Sequence, residues 1–181
     1  ASPATGPNLV GGYVDNTITT GVVGSVIAGG GESGAPNRVT DHFGVVVGGA
    51  WNTAGINNGD VSDSEYAFVG GGSGNTAASP FTAVIGGSAN SAEARYAVVG
   101  GGWMNYVAGS FGALLGGQNN GAEGAYSTIG GGGWNLATGA GATIAGGGGS
   151  LDLGGGTQVI SNTVTGLLGS IGGGGYNLVS G

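Results

Sequence analysis

The sequence predicts an all-β chain folded as a parallel β-solenoid (β-roll) of about ten 15-residue coils, with two short strands per coil. Three observations carry that expectation. The first is a column of asparagines in one register: Asn16, Asn37, Asn52, Asn75, Asn90, Asn105, Asn120, Asn135, Asn162 and Asn177. From Asn75 to Asn135 the step is 15 residues four times running, and the other steps are 21, 15, 23, 27 and 15 residues, as if loops had been inserted into the same unit. The second is a glycine-rich phrase before each Asn, such as "VGGGSGN", "VGGGWMN" and "IGGGGWN". The third is a pair of apolar anchors in every unit, one on each side of that phrase.

With positions counted so that Asn is position 9, position 3 reads Val10, Ile27, Val46, Val69, Val84, Val99, Leu114, Ile129, Ile144 and Ile171. Position 5 is glycine in all ten units, and position 6 in nine, Tyr13 being the exception. Two residues after each Asn comes Ile18, Val39, Ala54, Ala77, Ala92, Val107, Ala122, Ala137, Val164 or Val179. Two short apolar segments separated by a tight turn make two strands per coil, and no single coil can bury its own face. Stacked coils lie ~4.8 Å apart, which places equivalent Asn amides one above another. A buried amide left unmet costs ~1–3 kcal/mol, so a ladder with each amide donating to the carbonyl of the next explains Asn in every coil.

The two strands read differently. The second has polar neighbours around its anchor, such as Thr76 and Ser91, and is expected to keep one face in water. The first reads as apolar on both faces, beginning with Phe43, Tyr66, Phe81, Tyr96, Phe111 and Tyr126 and continuing through Val45, Phe68 and Val98. Val47, Ile85 and Leu115 extend the same side. A strand apolar on both sides should be covered on both sides, so these residues are the expected self-association surface.

One domain is expected over residues 7–181, after a flexible leader at 1–6 that suggests export and processing. Loop insertions fall near 31–36, 55–61 and 148–161. Residues 31–42 and 56–65 gather six of the eleven charged side chains around the one histidine, His42. The last unit is a near-perfect repeat, and Tyr13 and Tyr176 are the expected neighbours at a joint if subunits stack end to end.

Composition narrows the function classes. Glycine supplies 49 of 181 residues, lysine is absent and the net charge is −7, which repels phosphate and argues against nucleic acid as a partner. There is no cysteine for a thiolate metal site or a disulfide. No apolar run approaches the ~20 residues of a membrane span. A Ser/His/Asp arrangement through His42 and Asp41 has no serine singled out for it, and no enzymatic activity or cofactor is expected. Asp60, Asp63 and Glu65 read as a solvated acidic loop ahead of a Ca²⁺ site. Trp51, Trp103, Trp134 and Tyr176 read as covers for the glycine backbone, with sugar stacking as the alternative.

The units "YAVVGGGWMNYVAGS" and "YSTIGGGGWNLATGA" resemble the head repeats of trimeric autotransporter adhesins of the YadA type, and also Gly-rich 15-residue β-roll repeats of surface and fibre proteins. The resemblance covers roughly residues 8–181, although that family's unit is nearer 14 residues and lacks the strict Asn. It implies a left-handed roll, a bacterial source and a trimeric state. The resulting expectation is a non-enzymatic extracellular structural or adhesive protein, part of a surface fibre, filament or adhesin head. Its partners would be copies of itself, as a homotrimer or end-to-end filament, and a host surface, matrix or glycan. A phage tail-fibre or receptor-binding segment is the alternative. An ice-binding solenoid is disfavoured, because Tyr106, Leu136, Glu93 and Glu123 interrupt the threonine face such a protein needs, and no thermal hysteresis is expected.

Overall fold

The computed structural model describes residues 6–152 and 157–181. Most of the leader expected at 1–6 and the tip of the insertion at 148–161 lie outside the described residues. What is described is a parallel β-solenoid. One ten-stranded sheet runs from Leu9–Val10 through Val98–Val99 to Ser170–Ile171, and a second from Thr17–Ile18 through Tyr106–Val107 to Leu178–Val179. Every neighbouring pair in both sheets is parallel and in register, with Val98 opposite Ala83 and Ala113, and Tyr106 opposite Ser91 and Gly121. A third line of parallel bridges follows position 7, from Ala50 through Ser88 and Trp103 to Gly148. The insertion after Gly148 begins and ends as an antiparallel pair, Gly149–Asp152 against Thr157–Ile160. Among the described residues there is no helix.

Strands of two residues cannot bury much singly, so the core is a thin double column. Position 3 points inward from the first sheet and the second anchor points inward from the opposite sheet, nearly all of them completely buried. In some coils a large residue faces a small one, as Val84 with Ala92, Leu114 with Ala122 and Ile129 with Ala137, and in others two larger ones meet, as Ile27 with Val39, Val99 with Val107 and Ile144 with Val164.

Two corners per coil close the path, and both use left-handed backbone. Among the described residues thirteen non-glycine residues have positive φ: seven at position 0, where the six ringed residues Phe43 to Tyr126 are joined by Leu168, and six at position 8, including Trp51, Ala89, Asn119 and Tyr176. In the strands each N–H donates to the following coil, as Val98 does to Gly112 O at 3.0 Å. At both corners the direction reverses, Tyr96 N donating back to Pro80 O at 3.2 Å and Ala89 N back to Ser73 O at 2.9 Å.

The asparagine column is buried throughout its central coils, and its bonding differs from the expected chain of amides. Asn105 Oδ1 accepts the backbone N–H of Asn120, and Asn90 Oδ1 that of Asn105. The two amide protons of Asn105 go to glycine carbonyls, Gly101 O in its own turn and Gly117 O in the next coil, both at 2.9 Å. Contact between neighbouring amides is added from Asn90, Asn120, Asn162 and Asn177 to the preceding Oδ1. The ladder therefore ties side chain to backbone, and it pins the glycine turn of one coil to the turn of the next.

Candidate functional site

The six rings expected on the first strand lie instead at the corner, two residues ahead of it, with φ between 58° and 62°. Left-handed backbone explains the difference: it swings the side chain out of the strand's alternation, and successive rings line up face to face along the solenoid axis. Phe43, Tyr66, Phe81, Tyr96, Phe111 and Tyr126 form one continuous stack, with centroids 4.9, 5.0, 5.1, 4.8 and 5.0 Å apart and planes within 19° of parallel. The coil spacing imposes that separation. Arg95 lies over the outside of the stack, its guanidinium carbon 5.5 Å from the Phe81 centroid and 5.2 Å from that of Tyr96. Stacking adds ~0.5–1.5 kcal/mol per pair, while left-handed backbone costs a non-glycine residue ~1–2 kcal/mol. The two nearly cancel, so stability alone does not account for a row of rings that stays 38–64% exposed.

Beside the stack lies the outer face of the first sheet, formed by positions 2 and 4, which point outward on either side of buried position 3. From the fourth to the eighth coil this face alternates. Phe68 is followed by Gly70, Ala83 by Ile85, Val98 by Gly100, Ala113 by Leu115 and Thr128 by Gly130. The backbone enforces half of the pattern: a Cβ on Gly70, Gly100 or Gly130 would run into the carbonyl oxygen of Ile85, Leu115 or Ala145 in the next coil. The true repeat here is thus 30 residues, and Tyr66, Tyr96 and Tyr126 alternate with Phe81 and Phe111 in the same rhythm. Ile85 and Leu115 stand 55% and 66% exposed as knobs beside flat glycine or alanine positions. Reading each coil against the next conceals this alternation, and reading it against the next but one would have shown it.

The remaining candidates separate. Asp41 is buried and clamps the base of the 55–64 insertion, accepting from Thr40 Oγ1 at 2.7 Å, Ile56 N at 2.8 Å and Ser64 N at 3.2 Å. Burial pushes its carboxyl above the usual carboxylate range, against the pull of those three donors. His42 turns elsewhere, its Nδ1 accepting the Val23 N–H at 3.1 Å, so the two are not joined as a catalytic pair. Asp60 accepts from Ser62 N and Oγ within its own loop, and these bonds hold its carboxyl below the ordinary value. Among the described residues no three metal-ligating side chains cluster, Glu65 with Asp60 and Asp63 included.

The tryptophans of the glycine turn do not share one role. Trp51 Nε1 donates to Gly34 O and ties down the 31–36 insertion, whereas Trp134 Nε1 is buried without a partner. Gly121 opens a recess of about 350 Å³ between Tyr106 and Leu136, walled by Trp134, Met104 and Asn119. Tyr13 and Tyr176 lie in the first and last turns, donating through their backbone N–H to Gly30 O and Ser161 O at 2.8 Å, and they do not meet within one chain.

The fold and its ladders define the class: a β-solenoid compatible with structural repeat proteins. No family model matches the chain, and no curated protein matches it.

Proposed function

We propose that the chain is a non-enzymatic extracellular structural or adhesive protein, a solenoid rod that associates with copies of itself in a surface fibre, filament or adhesin head. The observation that carries this reading is the exposed aromatic stack with the apolar face beside it, on a fold whose own core is already closed. Apolar relief repeated along a rod suits contact with another extended surface better than a small ligand. The likeness of the repeats to adhesin head units points the same way, as does a surface almost without cations. A host surface, matrix or glycan is the external partner of this reading. Axial stacking, with Tyr13 and Tyr176 at the joint, is its second mode of assembly. Immunogold labelling of intact cells of the source organism tests it: label on thin structures outside the envelope is expected, and label confined to the cell interior overturns it.

A further inference from the structure

We infer that the outer face of the first sheet is a two-fold interface, in which a second copy packs parallel to the first, coil against coil. The inference rests on the self-associating structural role proposed above and names the surface and its symmetry.

Consider a two-fold axis running along the solenoid, between the columns at positions 2 and 4. It keeps each coil at its own height and brings position 2 of one copy opposite position 4 of the other. From the fourth to the eighth coil that operation sets a larger side chain against a small one, whereas in the third it sets Val45 against the partner's Val47. Val98 meets the partner's Gly100, and Leu115 meets the partner's Ala113; the reciprocal contacts follow by symmetry. Such reciprocity is the mark of an isologous interface, where one patch complements itself. A flat apolar face would pack on many things, whereas knobs and holes exchanged between two columns within each coil fit a copy of themselves.

Charge and size agree with this. Positions 2 and 4 of the first sheet carry no charged side chain in any coil, on a protein of net charge −7, so two such faces meet without burying a like-charge pair. Ten coils make nine steps of ~4.8 Å and five residues four steps of ~3.3 Å, a strip of roughly 600 Å² in plan. The relief of the knobs raises its accessible area towards the ~800 Å² per partner of a standard interface. Facing sheets with interdigitated side chains at ~10 Å spacing are a known stable packing. The aromatic row borders the strip, opposite the partner's position 6, which is glycine in nine coils.

Light scattering on the full chain, with far-UV circular dichroism to confirm the solenoid, tests the proposal. A mass of twice 16.8 kDa is expected at micromolar concentration. Ala113→Leu sets large against large and should weaken the dimer about tenfold or more. The double variant Ala113→Leu/Leu115→Ala exchanges knob and hole within one coil and should restore the wild-type affinity. An antiparallel pair at full overlap would not be rescued by that exchange, because position 113 would still face the partner's Phe68. A folded monomer at all concentrations, a trimer, or failure of the rescue each overturns the two-fold parallel face. None of these outcomes decides the cellular location, which the labelling experiment reads separately.

Discussion

Asn105 Oδ1 accepts the backbone N–H of Asn120 at 3.1 Å, while its two amide protons are held by Gly101 O and Gly117 O. One side chain therefore satisfies three backbone groups in two coils, at a site 1% exposed.

Removing that side chain leaves the Asn120 N–H and the Gly101 carbonyl unmet, while Gly117 O keeps the Trp103 N–H. Asn105→Ala should cost about 3 kcal/mol. Asn105→Asp should cost more, because it turns a carboxylate oxygen towards two carbonyl oxygens in a buried site. Asn119→Ala should cost under ~1 kcal/mol, since Ala89 already occupies the equivalent left-handed corner at φ 54°. Urea unfolding of the three variants checks the order. Equal losses at 105 and 119 would remove the ladder as a source of stability.

Adjacent glycines should respond in opposite ways. A Cβ on Gly87 would strike Gly102 O and approach Asn90 Nδ2 to 2.7 Å, at φ 85°. On Gly86 it would meet nothing within 4 Å, and φ there is not positive. Gly87→Ala is expected to cost about 3 kcal/mol, and Gly86→Ala to be neutral or stabilising by up to ~1 kcal/mol. Thermal melts of the two single variants give the comparison. Similar melting temperatures would show that the turn can relax.

The left-handed corners offer a stabilising change. Ala89 is exposed at φ 54°, and Gly74 fills the same position one coil earlier at φ 67°. Ala89→Gly removes ~1–2 kcal/mol of backbone strain against ~0.5–1 kcal/mol of added chain entropy. A net gain of roughly 0.5–1 kcal/mol is expected from denaturant unfolding. A loss would place the strain outside this corner.

These corners also show where sequence reasoning stops. The buried columns at position 3 and at Asn were legible because every coil meets the same neighbours above and below, so the same residue type recurs. The rings at position 0 recur as regularly, yet recurrence does not report φ. Phe81 and Tyr96 pass for strand residues until their N–H groups are seen bonding backward to Glu65 O and Pro80 O. Strands of two residues are too short for alternation to mark their ends. The paired knobs and holes at Val98, Gly100, Ala113 and Leu115 were present in the letters, but at a period of two coils. The clamp at Asp41 left no repeat at all, because it joins a single insertion to a single coil.

Asp41 gives the last prediction. Desolvation raises its carboxyl pKa above the unfolded value, opposed by the donors Thr40, Ile56 and Ser64, with Asp63 nearby also raising it. A raised acid binds its proton more readily in the folded state. Its contribution is thus fully present below the unfolded pKa of ~3.9 and is lost as pH rises through the folded value. Acidifying from neutral pH towards 4 should therefore stabilise the chain through this one group, the reverse of a salt-bridged carboxylate. Asp60 acts oppositely, since its lowered pKa gives stability present above the unfolded value and lost as pH falls through the folded one. The two are separated with Asp41→Asn. That change sets an amide N–H against Ile56 N or Ser64 N, both backbone donors, and should cost ~1–3 kcal/mol at pH 7. It also deletes the titration, so the gap in melting temperature between wild type and variant should widen as pH falls to about 4. A gap that narrows instead would mean that the three donors outweigh burial and hold Asp41 ionised.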